Sequence, residues 1–163
     1  MKPFINSLDR DIRVAVISDT HDLLRPSVLE YLNGIDLIIH AGDVGSLEML
    51  KQIQGIAEVC AVRGNIDYWA DNTILPLSNG IVVGGLFIYL IHNLDHLDIS
   101  LLDAEVDIVV SGHTHQPHEY EQDGVLFLNP GSIGPRRYDY PISLLLLTIN
   151  NRSHTLEQIV LVD

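Results

Sequence analysis

Apolar residues in this chain gather in short runs rather than in long helical stripes. Arg13–Ser18 (RVAVIS), Leu37–His40 (LIIH) and Ala57–Val62 (AEVCAV) are strand-length runs with little polar interruption. That pattern predicts strands covered on both faces. Two helices are expected between them. Pro26 suits a helix start and Gly34 a stop, which frames Ser27–Asn33. Ser46 is a capping residue for a helix reaching about Gln54, ended by Gly55. The first 65 residues therefore predict strand-helix-strand-helix-strand with parallel strands and right-handed crossovers.

The second half reads differently. Asn79-Gly80 and Asp123-Gly124 are two-residue hairpin signals. Leu86–His92 and Val106–Ser111 read as strands, and Asp98–Glu105 as a helix capped by Asp98. Pro141–Asn150 and His154–Val162 form an expected closing antiparallel pair. Two packed sheets with helices outside would bury all of these strands.

The chain has 163 residues, 47% of them hydrophobic, which suits one domain over residues 1–163. Its one cysteine, Cys60, excludes an intrachain disulfide scaffold. No apolar run approaches the ~20 residues of a membrane span, and Met1–Arg13 has no apolar signal core. These features point to a soluble cytoplasmic protein that does not enter a membrane. The net charge is −13, from 22 acidic and 9 basic residues. So acidic a chain argues against extended nucleic acid as a partner, because that affinity comes from neutralising phosphates. A small phosphate-bearing substrate remains compatible, and a homo-oligomer is left open.

The informative polar residues follow the apolar runs. Asp19-Thr20-His21, Gly42-Asp43, Gly64-Asn65-Ile66-Asp67, His92-Asn93 and Gly112-His113-Thr114-His115 each stand at the end of a predicted strand. Ligands of open α/β sheets bind beyond the carboxyl ends of the strands, so five such clusters converge on one place. Asp and His are ligands for first-row divalent ions, and no thiolate accompanies them here. Asp19/His21 and His113/His115 are spaced i, i+2. In extended chain that puts both side chains on one face, about 6.6 Å apart, within reach of two ions ~3.5–4 Å apart.

These motifs, in this order, resemble the calcineurin-like metallophosphoesterases, in particular the short phosphodiesterase branch of bacteria and archaea. The resemblance runs from about Arg13 to Ile149, and Asn129-Pro130-Gly131-Ser132 matches a late motif. It implies a four-layer α/β/β/α sandwich of two mixed sheets flanked by helices. It also implies a binuclear centre of two divalent ions, manganese first, with nickel, iron or zinc as alternatives. Asp19, His21, Asp43 and His115 would hold one ion; Asp43, Asn65, His92 and His113 would hold the other. The implied reaction is phosphoester hydrolysis, a diester before a monoester, by a hydroxide that bridges the ions and attacks phosphorus in line. Asp43, Asn65, Asp67 and His92 are the implied catalytic group, with Asp67 orienting a ligand histidine or meeting substrate. One eukaryotic branch of the family instead serves as a coat subunit, which leaves a non-catalytic scaffold as the rival reading.

The chain departs from the family pattern twice. Ile66 stands where relatives often carry histidine, or cysteine in the short branch, so the leaving-group acid is missing at that position. Asn93 stands where glycine is usual. Around the motifs, His40 is open between a supporting role and a plain buried one. Tyr68 and Trp69 are candidates for a pocket wall, and the Asn129–Ser132 turn for phosphate contact. Arg25, Arg63, Arg136 and Arg137 are candidates for phosphate contact but singly read as surface charges. His96, His118 and His154 read as surface or packing histidines, and Cys60 as a buried thiol.

Overall fold

The computed structural model describes residues 2–5 and 10–162. Its elements run β1 (Lys2–Ile5), β2 (Ile12–Ile17), α1 (Pro26–Leu32), β3 (Leu37–His40), α2 (Leu47–Gln54), β4 (Glu58–Ala61), β5 (Ser78–Val83) and β6 (Leu86–Ile91). A 3₁₀ turn over Leu94–His96 follows, then β7 (Ile108–Val110), β8 (His118–Gln122), β9 (Val125–Asn129), β10 (Ile142–Asn150) and β11 (Ser153–Leu161). Two mixed sheets result. One is ordered β11-β10-β2-β3-β4 and the other β1-β5-β6-β7-β9-β8. The expected two-sheet α/β sandwich is what forms.

Both faces of the central strands are buried, which is why they lack polar alternation. In β2, Val14 and Val16 point between the sheets, where they meet Ile39, Ile88 and Val110. Ala15 and Ile17 point outward, under Val28 and Leu32 of α1 and Leu50 and Ile53 of α2. Each such fully buried aliphatic side chain contributes on the order of 2 kcal/mol. The cap on α2 is as expected: the Met49 amide donates to the Ser46 hydroxyl at 3.2 Å.

Three local expectations need correcting. The helix predicted over Asp98–Glu105 does not form. The Asp103 amide donates to Ser100 Oγ, so the cap lies two residues later than Asp98. A single turn follows, closed by Glu105 N–H to Leu102 O and Val106 N–H to Leu101 O, with Glu105 at φ 55°. This is a Schellman closure carried by a glutamate, and it leaves no length for a helix. The outer layer over the six-stranded sheet is therefore a loop, with Leu94, Leu97 and Leu101 packed on Tyr89, Ile91 and Phe127.

Asn79-Gly80 is not a turn but part of β5, paired with Leu90 and Tyr89 of β6. Gly80 is small for packing, since a Cβ there would sit 2.6 Å from the Phe87 ring. The turn is Gly84-Gly85, at φ 54° and 84°, joining Val83 to Leu86. Asp123-Gly124 does form its hairpin, at φ 52° and 77°. Finally, the N-terminal segment, for which no element was expected, contains β1, which pairs in parallel with β5.

Strands β2, β3 and β4 run parallel in one sheet, and β6, β7 and β9 in the other. The polar loops that follow these strands come together at one edge of the sandwich. Backbone bonds stitch them together: Asp19 N–H to Gly42 O, His21 N–H to Asp43 O, and Gly112 N–H to His92 O, at 2.9, 3.0 and 3.0 Å.

Candidate metal centre

All seven expected ligands reach this edge. Asp43 Oδ2 lies 3.4 Å from His21 Nε2 and 3.4 Å from His92 Nε2. Asp19 Oδ1 lies 3.3 Å from His115 Nε2 and 3.7 Å from His21 Nε2. Asn65 Oδ1 lies 3.1 Å from both His92 Nε2 and His113 Nδ1. The rings pair accordingly, with centroids 5.3 Å apart for His21 and His115 and 5.2 Å for His92 and His113. Asp19, Asp43, His92 and His115 are buried; Asn65 and His113 face solvent.

The backbone here is strained. Asp19, His21, Asp43, His113 and His115 all have positive φ, between 45° and 72°. For residues other than glycine this costs on the order of 1 kcal/mol each and persists only where the surroundings enforce it. Packing alone gives no reason for such a concentration at one edge.

The donor set fits divalent cations. Among the described residues, Asp19 Oδ1, His21 Nε2 and His115 Nε2 are buried without a hydrogen-bond partner. Three converging polar atoms without a hydrogen-bond partner suit a positive ion. The other Asp19 oxygen is fixed, accepting from Ser18 Oγ at 2.6 Å and the His113 amide at 3.1 Å. The ring of His92 is oriented for ligation: Nδ1–H donates to Ala41 O at 2.6 Å, which turns Nε2 toward Asp43 and Asn65.

Local charge favours a cation as well. Burial works against the charged form of Asp19, yet the adjacent His115 and His21 rings, the Ser18 hydroxyl and the nearby His92 hold it well below the carboxylate range. Burial likewise opposes charge on Asp43, but His92 and the Ile66 amide keep its carboxyl low. On His92, burial lowers proton affinity, but Asp43 and Asp19 outweigh it and raise it.

Other expected residues lie elsewhere. Asp67 meets neither a ligand histidine nor the open face. It is completely buried, and its oxygens accept the amides of Val44, Gly45 and Gly64 at 3.1, 2.9 and 2.8 Å. It pins the Asp43 loop to the Asn65 loop. Tyr68 is 91% exposed, and Trp69 packs against the helix-side core. Asn129 donates to Gly112 O at 3.0 Å, and Ser132 Oγ donates to Asp19 O at 3.0 Å; both brace ligand loops. Arg63 and Arg25 are turned to backbone carbonyls, of Ala70 and Gly134. Asn93 Oδ1 is used locally, accepting from Asp95 N–H at 3.0 Å.

Sequence reading passed over two supporting residues beside the motifs, Ser18 and Thr20, and left His40 open between support and plain burial. Ser18 holds Asp19. Thr20 and buried His40 form a relay: Gly42 N–H donates to His40 Nδ1, and His40 Nε2–H donates to Thr20 Oγ1, at 3.1 and 3.0 Å. Thr20 donates in turn to Val44 O at 2.7 Å. The only signal for Ser18 and Thr20 was adjacency to Asp19 and His21.

Comparison with known proteins identifies the family. The profile of the calcineurin-like phosphoesterase superfamily domain matches residues 12–152. A probable metallophosphoesterase of Methanocaldococcus jannaschii is 38% identical over 132 residues, 73% of this chain and 67% of that protein. A phosphodiesterase of the same organism is 28% identical over 139 residues, 74% of this chain and 83% of that one. Among solved structures, Vps29 of Entamoeba histolytica in complex with Zn²⁺ superposes with a TM-score of 0.71 at 28% identity, covering 91% of this chain and 99% of that one. The chain belongs to the calcineurin-like phosphoesterase superfamily. Membership supports a phosphoester hydrolase, and family and donor set together suggest divalent metal binding. Among the described residues no helix is long and apolar enough to cross a membrane.

Proposed function

We propose that residues 1–163 form one metallophosphoesterase domain that hydrolyses small phosphodiesters with two divalent ions. The observation that carries this reading is Asp43 Oδ2, placed 3.4 Å from a histidine of each donor group. Asp19, His21 and His115 would hold one ion, Asn65, His92 and His113 the other, and Asp43 both. Bound there, divalent ions lower the pKa of water toward about 7 and neutralise charge on phosphoryl oxygens. Manganese is the ion proposed first; a set of oxygen and imidazole donors without thiolate suits nickel, iron and zinc as well.

The protein's own part is to hold and orient. The Ala41 carbonyl fixes the His92 ring, and Ser18 with the His113 amide fixes Asp19. Asn65 and His113 stand at the open face, where a phosphoryl group would dock. The phosphodiesterase relative supports the diester reading. The test is turnover of a chromogenic diester beside the matching monoester by metal-stripped protein reloaded singly with manganese, nickel, iron or zinc. Diester turnover that needs metal supports the reading, and monoester turnover alone contradicts it.

The second reading is a scaffold that binds metal without catalysis, favoured by the likeness to Vps29. Full metal loading with no turnover of either ester would select it.

A further inference from the structure

A cavity of about 440 Å³ opens beside Asn65, His92 and His113. Leu77, Tyr89 and Ile91 give it apolar walls, and Arg63, His96 and Asp98 give it polar ones. It lies on one side of the metal centre, next to the two solvent-facing ligands. A phosphodiester docked at those ligands would send one ester arm into it. The walls suit an aromatic alcohol or a nucleoside rather than a strongly charged group.

A departing alkoxide or phenoxide needs a proton, and Ile66 has none to give. The titratable groups lining the cavity narrow to one. His92 and His113 turn ring nitrogens to Asn65 Oδ1. Arg63 donates to Ala70 O and Asn72 Oδ1 at 2.7 and 3.1 Å. Tyr89 is 7% exposed, within the sheet face. Asp98 brings a carboxyl, a class of side chain that is a poor proton donor at neutral pH. His96 is exposed in the same cavity, four residues beyond His92. Asn93 holds it there: its side chain accepts from Asp95 N–H, and its carbonyl accepts from His96 N–H at 3.1 Å.

Resting on the diesterase reading above, we propose that this cavity receives the leaving alcohol and that His96 hands the departing oxygen its proton. A water oxygen forms the new bond to phosphorus and its proton passes to solvent. The phosphorus–oxygen bond to the arm breaks, and its electron pair stays on the arm's oxygen. That oxygen takes the proton of the His96 imidazolium, and neutral His96 is reprotonated by solvent. A diester and water thus give a monoester and an alcohol. General acid help of this kind is worth about 10²–10⁴-fold and matters most for poor leaving groups.

The test is kcat/KM of the manganese-loaded protein on methyl aryl phosphates whose phenols run from 4-nitrophenol to phenol. Wild type should show a shallow dependence on phenol acidity. His96→Gln should steepen it, with a loss of about 100-fold on the phenyl ester and tenfold or less on the 4-nitrophenyl ester. Asn93→Gly, which unpins the turn but keeps the histidine, should steepen it less. Equal slopes, or an equal loss on every ester, would overturn the assignment of His96. A wild-type protein inert on the whole series is a different result; it overturns the diesterase reading and this assignment with it.

Discussion

Gly64 lies against Asp43 with no space for a side chain between them. A Cβ on Gly64 would overlap the Asp43 backbone nitrogen and Oδ1 and come within 2.8 Å of its Cγ. The loop after β4 reaches the Asp43 carboxylate only because that position has no side chain. Gly64→Ala must push Asp43 away, and overpacking of this kind costs about 1–3 kcal/mol. Urea denaturation should show that loss, and calorimetry should show weakened manganese binding. Stability and affinity equal to wild type would mean that the two loops are not held this closely.

Asp67 is expected to act on the same contact from below. Asp67→Asn keeps the shape but replaces one acceptor oxygen with a donor facing backbone amides. Hydrogen bonds to a charged group contribute about 1.5–3 kcal/mol, so the variant should lose on the order of 2–4 kcal/mol in chemical denaturation. Metal affinity should fall with stability. A role in meeting substrate predicts the reverse, a raised KM with an unchanged denaturation midpoint.

His40 sets an acid limit on stability. Burial pushes its proton affinity down to about 4, against the opposing pull of Asp67 and Asp19. The unfolded chain takes up that proton near pH 6.5, whereas the folded one does not until about 4. The stabilisation is therefore complete above pH 6.5 and is lost as pH falls toward 4, on the order of 3 kcal/mol. Urea midpoints between pH 7.5 and 4.5, with chelator present, should fall more steeply in wild type than in His40→Gln. Parallel curves would place His40 outside the titration.

Metal binding should stabilise the fold by mass action. At about 100 times its dissociation constant, an ion bound only by the folded state adds about 2.7 kcal/mol per site. The melting temperature should rise on adding manganese to chelator-treated protein. Asp43→Ala should lose most of that rise, because Asp43 belongs to both donor groups. His154→Ala, at an exposed residue of β11, should keep it. An equal rise in both variants would place the ions away from Asp43.

What the sequence made legible follows from the range of each signal. Runs such as RVAVIS and LIIH are buried on both faces, and burial leaves its mark in every residue. The candidate ligand motifs stood out because metal coordination draws on few residue types, Asp and His among them. Turns were harder. Asn79-Gly80 carries a strong hairpin signal, yet Gly80 is glycine to accommodate Phe87, a contact with no local trace. Asp98 looks like a helix cap, yet Ser100 does the capping. Asp67 was visible as polar but not as buried, because its partners Val44 and Gly45 are more than twenty residues away.

The central claim is that Asp43 joins two ions in one site. Its most direct test is electron paramagnetic resonance of stripped protein titrated with manganese, with bound metal counted in parallel. The account predicts two ions per chain and an exchange-coupled spectrum that Asp43→Ala converts to isolated-ion signals. A single ion per chain, or two that give only isolated-ion spectra in the wild type, would contradict it.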